Sequence, residues 1–302
     1  MSGYAEDRRS GSSDVASAFL DELEQWVASD VSTSAVAMRA SLLAWLRSAQ
    51  AAQPTLALVH QLAARGLDVA DASAARAESA VDLRAHLVAS CAAERDDLAA
   101  ARMGLARVAS QLIGTPEPWI ATLSTSSAVR EALLEAQRSG RRPRALVGEA
   151  RPGLEGRELA AALAAAGIPV WLTVDAALPL LVSQARMVWI GADAITDRGV
   201  INKVGSYALA LAAREHSVPV YAIAERRKFL PAVTRALQIV EMPSQEVWET
   251  PAPGVQPRNV YFELVPLELF RGVVVENGVL SATEVAGVAR ERPLPEALAG
   301  AS

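Results

Sequence analysis

Two patterns of apolar residues divide the chain. From residue 14 to residue 113 almost nothing reads as a strand, and Val15, Phe19, Leu23, Trp26 and Val27 recur at the three- and four-residue spacing that places side chains on one face of a helix. Similar amphipathic segments run over 33–49 and 54–65, and a longer one over 73–113. Within the longest, Leu87 is followed by Cys91, Leu98, Leu105 and Leu112, the last four at seven-residue steps, which predicts a stripe facing a core. Gly114, Thr115, Pro116 and Pro118 then interrupt the helical pattern and predict a boundary near residue 115.

Beyond Pro118 short apolar runs alternate with helical stretches. WIATL, RALVG, VWLTV, MVWIG and VPVYAIA predict five strands. The first four lead into helices from about Ser127, Glu155, Ala176 and Asn202, and the fifth into a short segment near Phe229. NVYFELVP and GVVVENG predict closing strands. Strand, helix, strand with short connections predicts an α/β protein: a helical N-terminal domain over 14–115, then a doubly wound, mostly parallel, Rossmann-like sheet domain over 116–302. Residues 1–13 are polar and are expected to be disordered.

Composition narrows the function. Of 302 residues 51% are hydrophobic, yet no apolar run approaches the roughly 18 to 20 residues needed to cross a bilayer. The first residues lack the apolar core of a secretory signal, so a cytoplasmic protein is expected. A net charge of -5 argues against a general nucleic-acid-binding surface, which needs a basic face. One cysteine, Cys91, precludes an internal disulfide, and with three scattered histidines it argues against a zinc site. Neither a metal nor an organic cofactor is expected.

Ligands of open parallel sheets sit outside the carboxyl ends of the strands. Polar residues gather there: Thr122 and Ser124 to Ser127 after the first strand, Glu149 and Arg151 after the second, Asp175 after the third, Asp193 after the fourth, Glu225 to Lys228 after the fifth. Ser124, Thr125 and Ser126 precede a helix whose first amides attract an anion; taken alone they read first as ordinary caps, and Arg151 at the mouth of the neighbouring strand adds weight to the anion. Arg151 is suited to a bidentate phosphate contact, or to an ion pair with Glu149 or Glu155. In WIGADAITDRGVINKVGS (189–206), Asp193 ends a strand and Asp197 sits in a turn, while Asn202 and Lys203 open a helix. Lys203 there opposes the helix dipole, which predicts a partner such as Asp193 or a bound phosphate. Gly205 permits close approach to the sheet or a ligand. Asp193 can act as a general acid or base if burial raises its pKa, or simply cap a turn.

The same segments resemble the family containing the alpha, beta and delta subunits of translation initiation factor 2B, methylthioribose-1-phosphate isomerase and ribose-1,5-bisphosphate isomerase. The likeness covers about 120–285. It rests on TLSTSSAV (122–129), GEARPGLEGRELAAALAAAGIPV (148–170), GADAITDRGVINKVGSYALALAA (191–213), RKFLP (227–231) and NVYFELVPLELFRGVVVENG (259–278), in the family's order. For the isomerase members the resemblance implies conversion of a ribose 1-phosphate derivative to the ribulose form by a cysteine and an aspartate on opposite sides of the sugar. Asp193 matches the aspartate; Ser124 stands in the cysteine's place. An alcohol is a far weaker acid than a thiol, and the histidines fall at 60, 86 and 216. The family's histidine, closing aspartate and threonine are Leu123, Glu263 and Val275 here, departures expected to reshape the pocket. Arg151, Asn202, Lys203, Gly205 and Lys228 are retained and suited to a phosphorylated ligand.

Three functions follow. The leading one is a member resembling the initiation-factor branch that binds a sugar phosphate or nucleoside monophosphate without the usual isomerase activity, as a homodimer through its sheet domain or a higher homo-oligomer. The second is an active aldose-ketose isomerase with Asp193 as general acid or base, assisted by Ser124 or water. The third is a structural subunit whose pocket is filled by side chains.

Overall fold

The computed structural model describes residue 4, residues 11–114 and residues 117–300. Four helices come first: α1 (Ser12–Ser29), α2 (Ala35–Ala52), α3 (Ala57–Ala75) and α4 (Ala80–Gln111). The single long segment expected over 73–113 is divided, because Ala77 takes a left-handed conformation and Ser79 starts a new helix with a capping box. Its hydroxyl accepts from the Asp82 amide while the Asp82 carboxylate accepts from the Ser79 amide, so two helix-end donors are satisfied reciprocally. The predicted stripe is real from Leu87 through Cys91, Leu98 and Leu105, all buried, and only half-buried at Leu112.

Most of the expected disordered start lies outside the described residues. Tyr4, however, is buried edge-on to Phe19, with ring centroids 5.8 Å apart. Ser12 and Ser13 already belong to α1 and are buried.

The second part is a seven-stranded sheet in the order β10-β9-β7-β4-β1-β2-β3. Its strands are β1 (Trp119–Leu123), β2 (Arg144–Gly148), β3 (Val170–Thr173), β4 (Met187–Ile190), β7 (Val220–Ile223), β9 (Gly272–Val275) and β10 (Gly278–Leu280). All neighbours run parallel except β9 and β10. The connecting helices are α5 (Ser127–Arg138), α6 (Glu155–Ala165), α7 (Leu178–Leu181), α8 (Ser206–Glu215) and α9 (Ala282–Arg290).

Parallel strands covered on both faces read as continuous apolar runs, as the central strands β1, β2, β4, β7 and β9 largely do. One face packs Ile120, Val147 and Trp189 against α5, α6 and the end of α4; the other packs Ala121, Leu146, Val188 and Ile190 against α7, α8 and α9. A separate core joins α1 to α4 and also takes in Ala194, Ile201, Leu230, Leu294 and Leu298. Residues late in the chain thus return to the helices, so the two regions share their packing.

A second, small antiparallel sheet has the order β5-β6-β8, with β5 (Ala194–Ile195), β6 (Gly199–Lys203) and β8 (Phe262–Pro266). It corrects the sequence reading at a decisive place. Asn202 and Lys203 do not open a helix; they end β6, paired with Glu263 and Phe262 of β8. The helix α8 begins at Ser206, after Gly205 at φ +100°. The earlier start is excluded because the Asp193 amide donates to the Ile201 carbonyl and the Thr196 amide to the Gly199 carbonyl, each at 2.8 Å, which closes 194–201 into a hairpin.

Candidate functional site

The sheet changes direction at β1. From β1 it runs outward through β2 to β3, and the chain then returns to β4 on the other side and continues to β7 and β9. A crevice forms at such a switch point, outside the carboxyl ends of the strands. It is occupied here by a narrow cavity of about 70 Å³, within about 760 Å³ of unfilled space that includes its mouth. The turn after β1 (123–127) and the turn after β4 (191–193) line it, together with Glu155, Asn202, Lys203, Lys228 and Tyr261. Gly11, Ser12 and Val15 at the start of α1, and Gln53 and Leu56 before α3, supply a wall from the helical part. A cavity of this kind is not one filled by side chains.

Ser124, Thr125, Ser126, Asp193, Asn202, Lys203 and Lys228 therefore come together. Arg151 and Gly205 do not line the cavity. Arg151 is exposed; the amides of Ala150 and Arg151 donate to the two carboxylate oxygens of Asp175, both at 2.7 Å. Asp175 is thereby a brace for the loop after β2. The carboxylates expected to pair with the Arg151 guanidinium are engaged elsewhere, Glu149 by Arg157 at 2.7 Å and Glu155 by Lys203 at 2.9 Å. Gly205 starts α8, where its amide and that of Tyr207 both donate to the Glu263 carboxylate at 2.8 Å. Glu263 is thus a helix cap, outside the pocket it was expected to reshape, and Val275 is buried in the sheet core. Asp197 is also elsewhere: its carboxylate accepts from the Ala232 amide at 2.8 Å and meets Arg290 at 3.2 Å.

Ser124 and Ser126 do different work. Ser124 has a left-handed backbone, φ +65°, and is 8% exposed. Non-glycine residues rarely take this conformation, and it turns the chain sharply between β1 and α5. Ser126 caps α5, its hydroxyl accepting from the Val129 amide at 3.4 Å. At Ser126 capping and cavity lining coexist. Gly191 makes the contact possible: a Cβ at this position would lie 2.6 Å from Ser126 Oγ.

Asp193 is clamped through its backbone, its amide on Ile201 of β6 and its carbonyl accepting from the Ala57 amide of α3 at 2.9 Å. Its side chain is half-buried among the lining residues. Burial pushes its carboxyl up to about 6, and the ammonium groups of Lys228 and Lys203 oppose the rise without cancelling it. Such a carboxyl holds or releases a proton near neutral pH, as a general acid or base must.

Both lysines already have carboxylate partners. Lys203 Nζ donates to Glu155 Oε1 at 2.9 Å and lies 3.8 Å from the centre of the Tyr261 ring. Lys228 Nζ donates to the Ala192 carbonyl at 2.8 Å and stands 3.4 Å from Glu225 Oε2. Asn202 Nδ2 donates to Ser206 Oγ at 2.8 Å. Lys203 therefore does have a partner, but it is Glu155 in place of Asp193. Sequence reasoning missed Tyr261 and the wall made by α1 and the approach to α3, because no local spacing links residues so far apart in the chain. Glu155 carried a signal, as a carboxylate opening a helix, but it pointed to the wrong cation.

Fold and site together define an α/β protein with a crevice at the sheet switch point and a helical wall across it. The chain belongs to the initiation factor 2 subunit family, whose model matches residues 8–282. Among its relatives, a translation initiation factor eIF-2B subunit 2-like protein of Pyrococcus furiosus is 36% identical over 182 residues, 60% of this chain and 63% of that protein. Ribose 1,5-bisphosphate isomerase of Archaeoglobus fulgidus is 34% identical over 166 residues, 53% of each chain. The matches thus span less than two thirds of these relatives' lengths. In three dimensions the chain is similar to translation initiation factor eIF-2B of Pyrococcus horikoshii OT3, with a TM-score of 0.79, 26% identity, and 92% of this chain and 94% of that one covered. No described helix is long and apolar enough to cross a membrane.

Proposed function

We propose that the cavity binds a phosphorylated sugar or a nucleoside monophosphate, and that the chain does not carry out the usual isomerisation. The observation that carries the first part is the meeting, in one cavity, of the N-terminus of α5 with its hydroxyls, Lys203 and Lys228. The first amides of a helix have no internal acceptors, and the helix dipole favours negative charge there. Since each lysine is already opposed by a carboxylate, the α5 turn supplies the main attraction for a phosphoryl group, and the lysines direct their remaining N–H bonds.

The second part rests on chemistry. Ser124 holds the place that the family resemblance gives to the thiol, while Cys91 is buried in the helical core, its thiol pushed up to about 11 by burial first and by the Glu24 carboxylate next. The raised pKa of Asp193 favours the alternative reading, an aldose-ketose isomerase with Asp193 moving the proton. A cytoplasmic homodimer or higher homo-oligomer fits the family, and sedimentation of the purified chain tests it.

Thermal unfolding tests the binding. A ligand selective for the native state at about 100 times its Kd stabilises it by about 2.7 kcal/mol, so ribose phosphates or nucleoside monophosphates should raise Tm by several degrees. No shift with any of them would contradict the proposal.

A further inference from the structure

We infer that the groove between α4 and α5 is a docking site for a short acidic segment of a partner protein, held by arginines on both walls and seated on an apolar floor. The groove is separate from the cavity: Ser127 alone among the described residues lines both.

Each helix builds one wall. Leu105 and Ala109 of α4 pack with Val129 and Ala132 of α5 in one core, so the two helices lie side by side, and the residues flanking that seam border a channel of about 380 Å³. α4 contributes Arg102 and Arg107 to it, and α5 contributes Arg130 and Arg138. On α5 the lining positions 127, 130, 131, 135 and 138 recur at three- and four-residue steps, which puts them on one helical face.

The charges in the groove do not balance. Four guanidinium groups share it with two carboxylates, Glu131 and Glu135, in a chain whose net charge is -5. Both carboxylates pair within their own helix, Glu131 with Arg130 at 3.4 Å and Glu135 with Arg138 at 2.9 Å. Surface pairs of this kind are worth little, so their guanidinium groups remain open to a better partner. Arg102 donates to the uncharged Ser13 carbonyl at 3.1 Å, and the Arg107 guanidinium has no hydrogen bond or ion pair among the described residues. Two positive charges stand uncompensated, and the planar guanidinium fork matches a carboxylate.

The floor selects a peptide over a simple anion. Met103, between the two arginines of α4, is 66% exposed, with Ala99 and Ala106 on the same lining. An inorganic polyanion has no use for a thioether and methyl groups, whereas a peptide brings side chains that cover them. Methionine and arginine are enriched where proteins meet and lysine is depleted there; every cation in this groove is an arginine. From Ser127 to Arg138 the helix rises about 16 Å, the reach of about five residues of extended chain.

Fluorescence anisotropy with a labelled pentapeptide, Asp-Glu-Leu-Glu-Asp, tests the assignment. The native protein should bind it saturably. Arg107→Glu, at an exposed position, should weaken binding about tenfold, and Met103→Ser should weaken it about threefold. Ribose 5-phosphate should leave the peptide bound. Absence of binding, undiminished binding by the Arg107 variant, or displacement by ribose 5-phosphate would overturn the inference. Inorganic triphosphate that competes as well as unlabelled peptide would make the groove a general anion site and refute the peptide. Should Arg107→Glu not fold, Arg138→Glu, also exposed, gives the same reading from the opposite wall.

Discussion

At the scale of single residues, Asp193 is the most informative group. Its folded pKa, about 6, lies above the ordinary carboxyl value. Its folded form therefore holds a proton that the unfolded chain has released between about pH 4 and 6. Stability attached to this residue is greatest below that window, declines as pH rises through it, and stays lost above it. Asp193→Asn should erase the decline, and the melting of native and variant protein from pH 4 to pH 8 would show it. Above pH 6 the variant should be the more stable by about 3 kcal/mol; equal pH profiles would contradict the assigned burial. Ser124→Cys tests the missing thiol. It should introduce measurable turnover of ribose 1,5-bisphosphate to the ribulose isomer where the native chain shows none, and continued inactivity would argue against the thiol as the missing part. Asp193 and Ser124 were legible because they stand at strand ends within motifs whose order is distinctive. The partner of Lys203 was not, since Glu155 is 48 positions away and nothing in the spacing relates them.

At the scale of elements, the informative case is GVINK. The sequence merges Asn202 and Lys203 with the alanine-rich helix that follows, because helical periodicity is strong from Ser206 onward and the strand is only five residues long. What places them on β6 is long-range pairing with β8, some sixty residues later, and a left-handed glycine that separates strand from helix. Tertiary pairing overrides local preference here. The parallel strands β1, β2, β4 and β7, by contrast, were readable because central strands covered on both faces are largely apolar, and the edge strand β3 was readable from its apolar run alone. The turn after β4 depends on Gly191, whose hydrogen lies against the hydroxyl that caps α5. Gly191→Ala places a methyl 2.6 Å from Ser126 Oγ and should destabilise the protein by about 1–3 kcal/mol, as overpacking does. Denaturant unfolding measures this. A variant as stable as the native chain would mean that the β4 turn and the α5 cap are not coupled.

At the scale of the whole molecule, the helical part is more than a neighbour of the sheet. It walls the crevice through Gly11, Ser12, Gln53 and Leu56, and the Ala57 amide holds the Asp193 carbonyl. The amphipathic stripes revealed that these helices share a core but not that they close over the switch point, since a stripe says which face is buried and not against what. The central claim is that this enclosure holds a phosphorylated sugar and leaves it unreacted. Phosphorus NMR of ribose 1,5-bisphosphate mixed with the purified chain examines both halves at once. The account predicts phosphate resonances shifted or broadened by the protein, with no ribulose isomer after prolonged incubation. Steady appearance of the ribulose signal, or a spectrum that the protein leaves unperturbed, would contradict it.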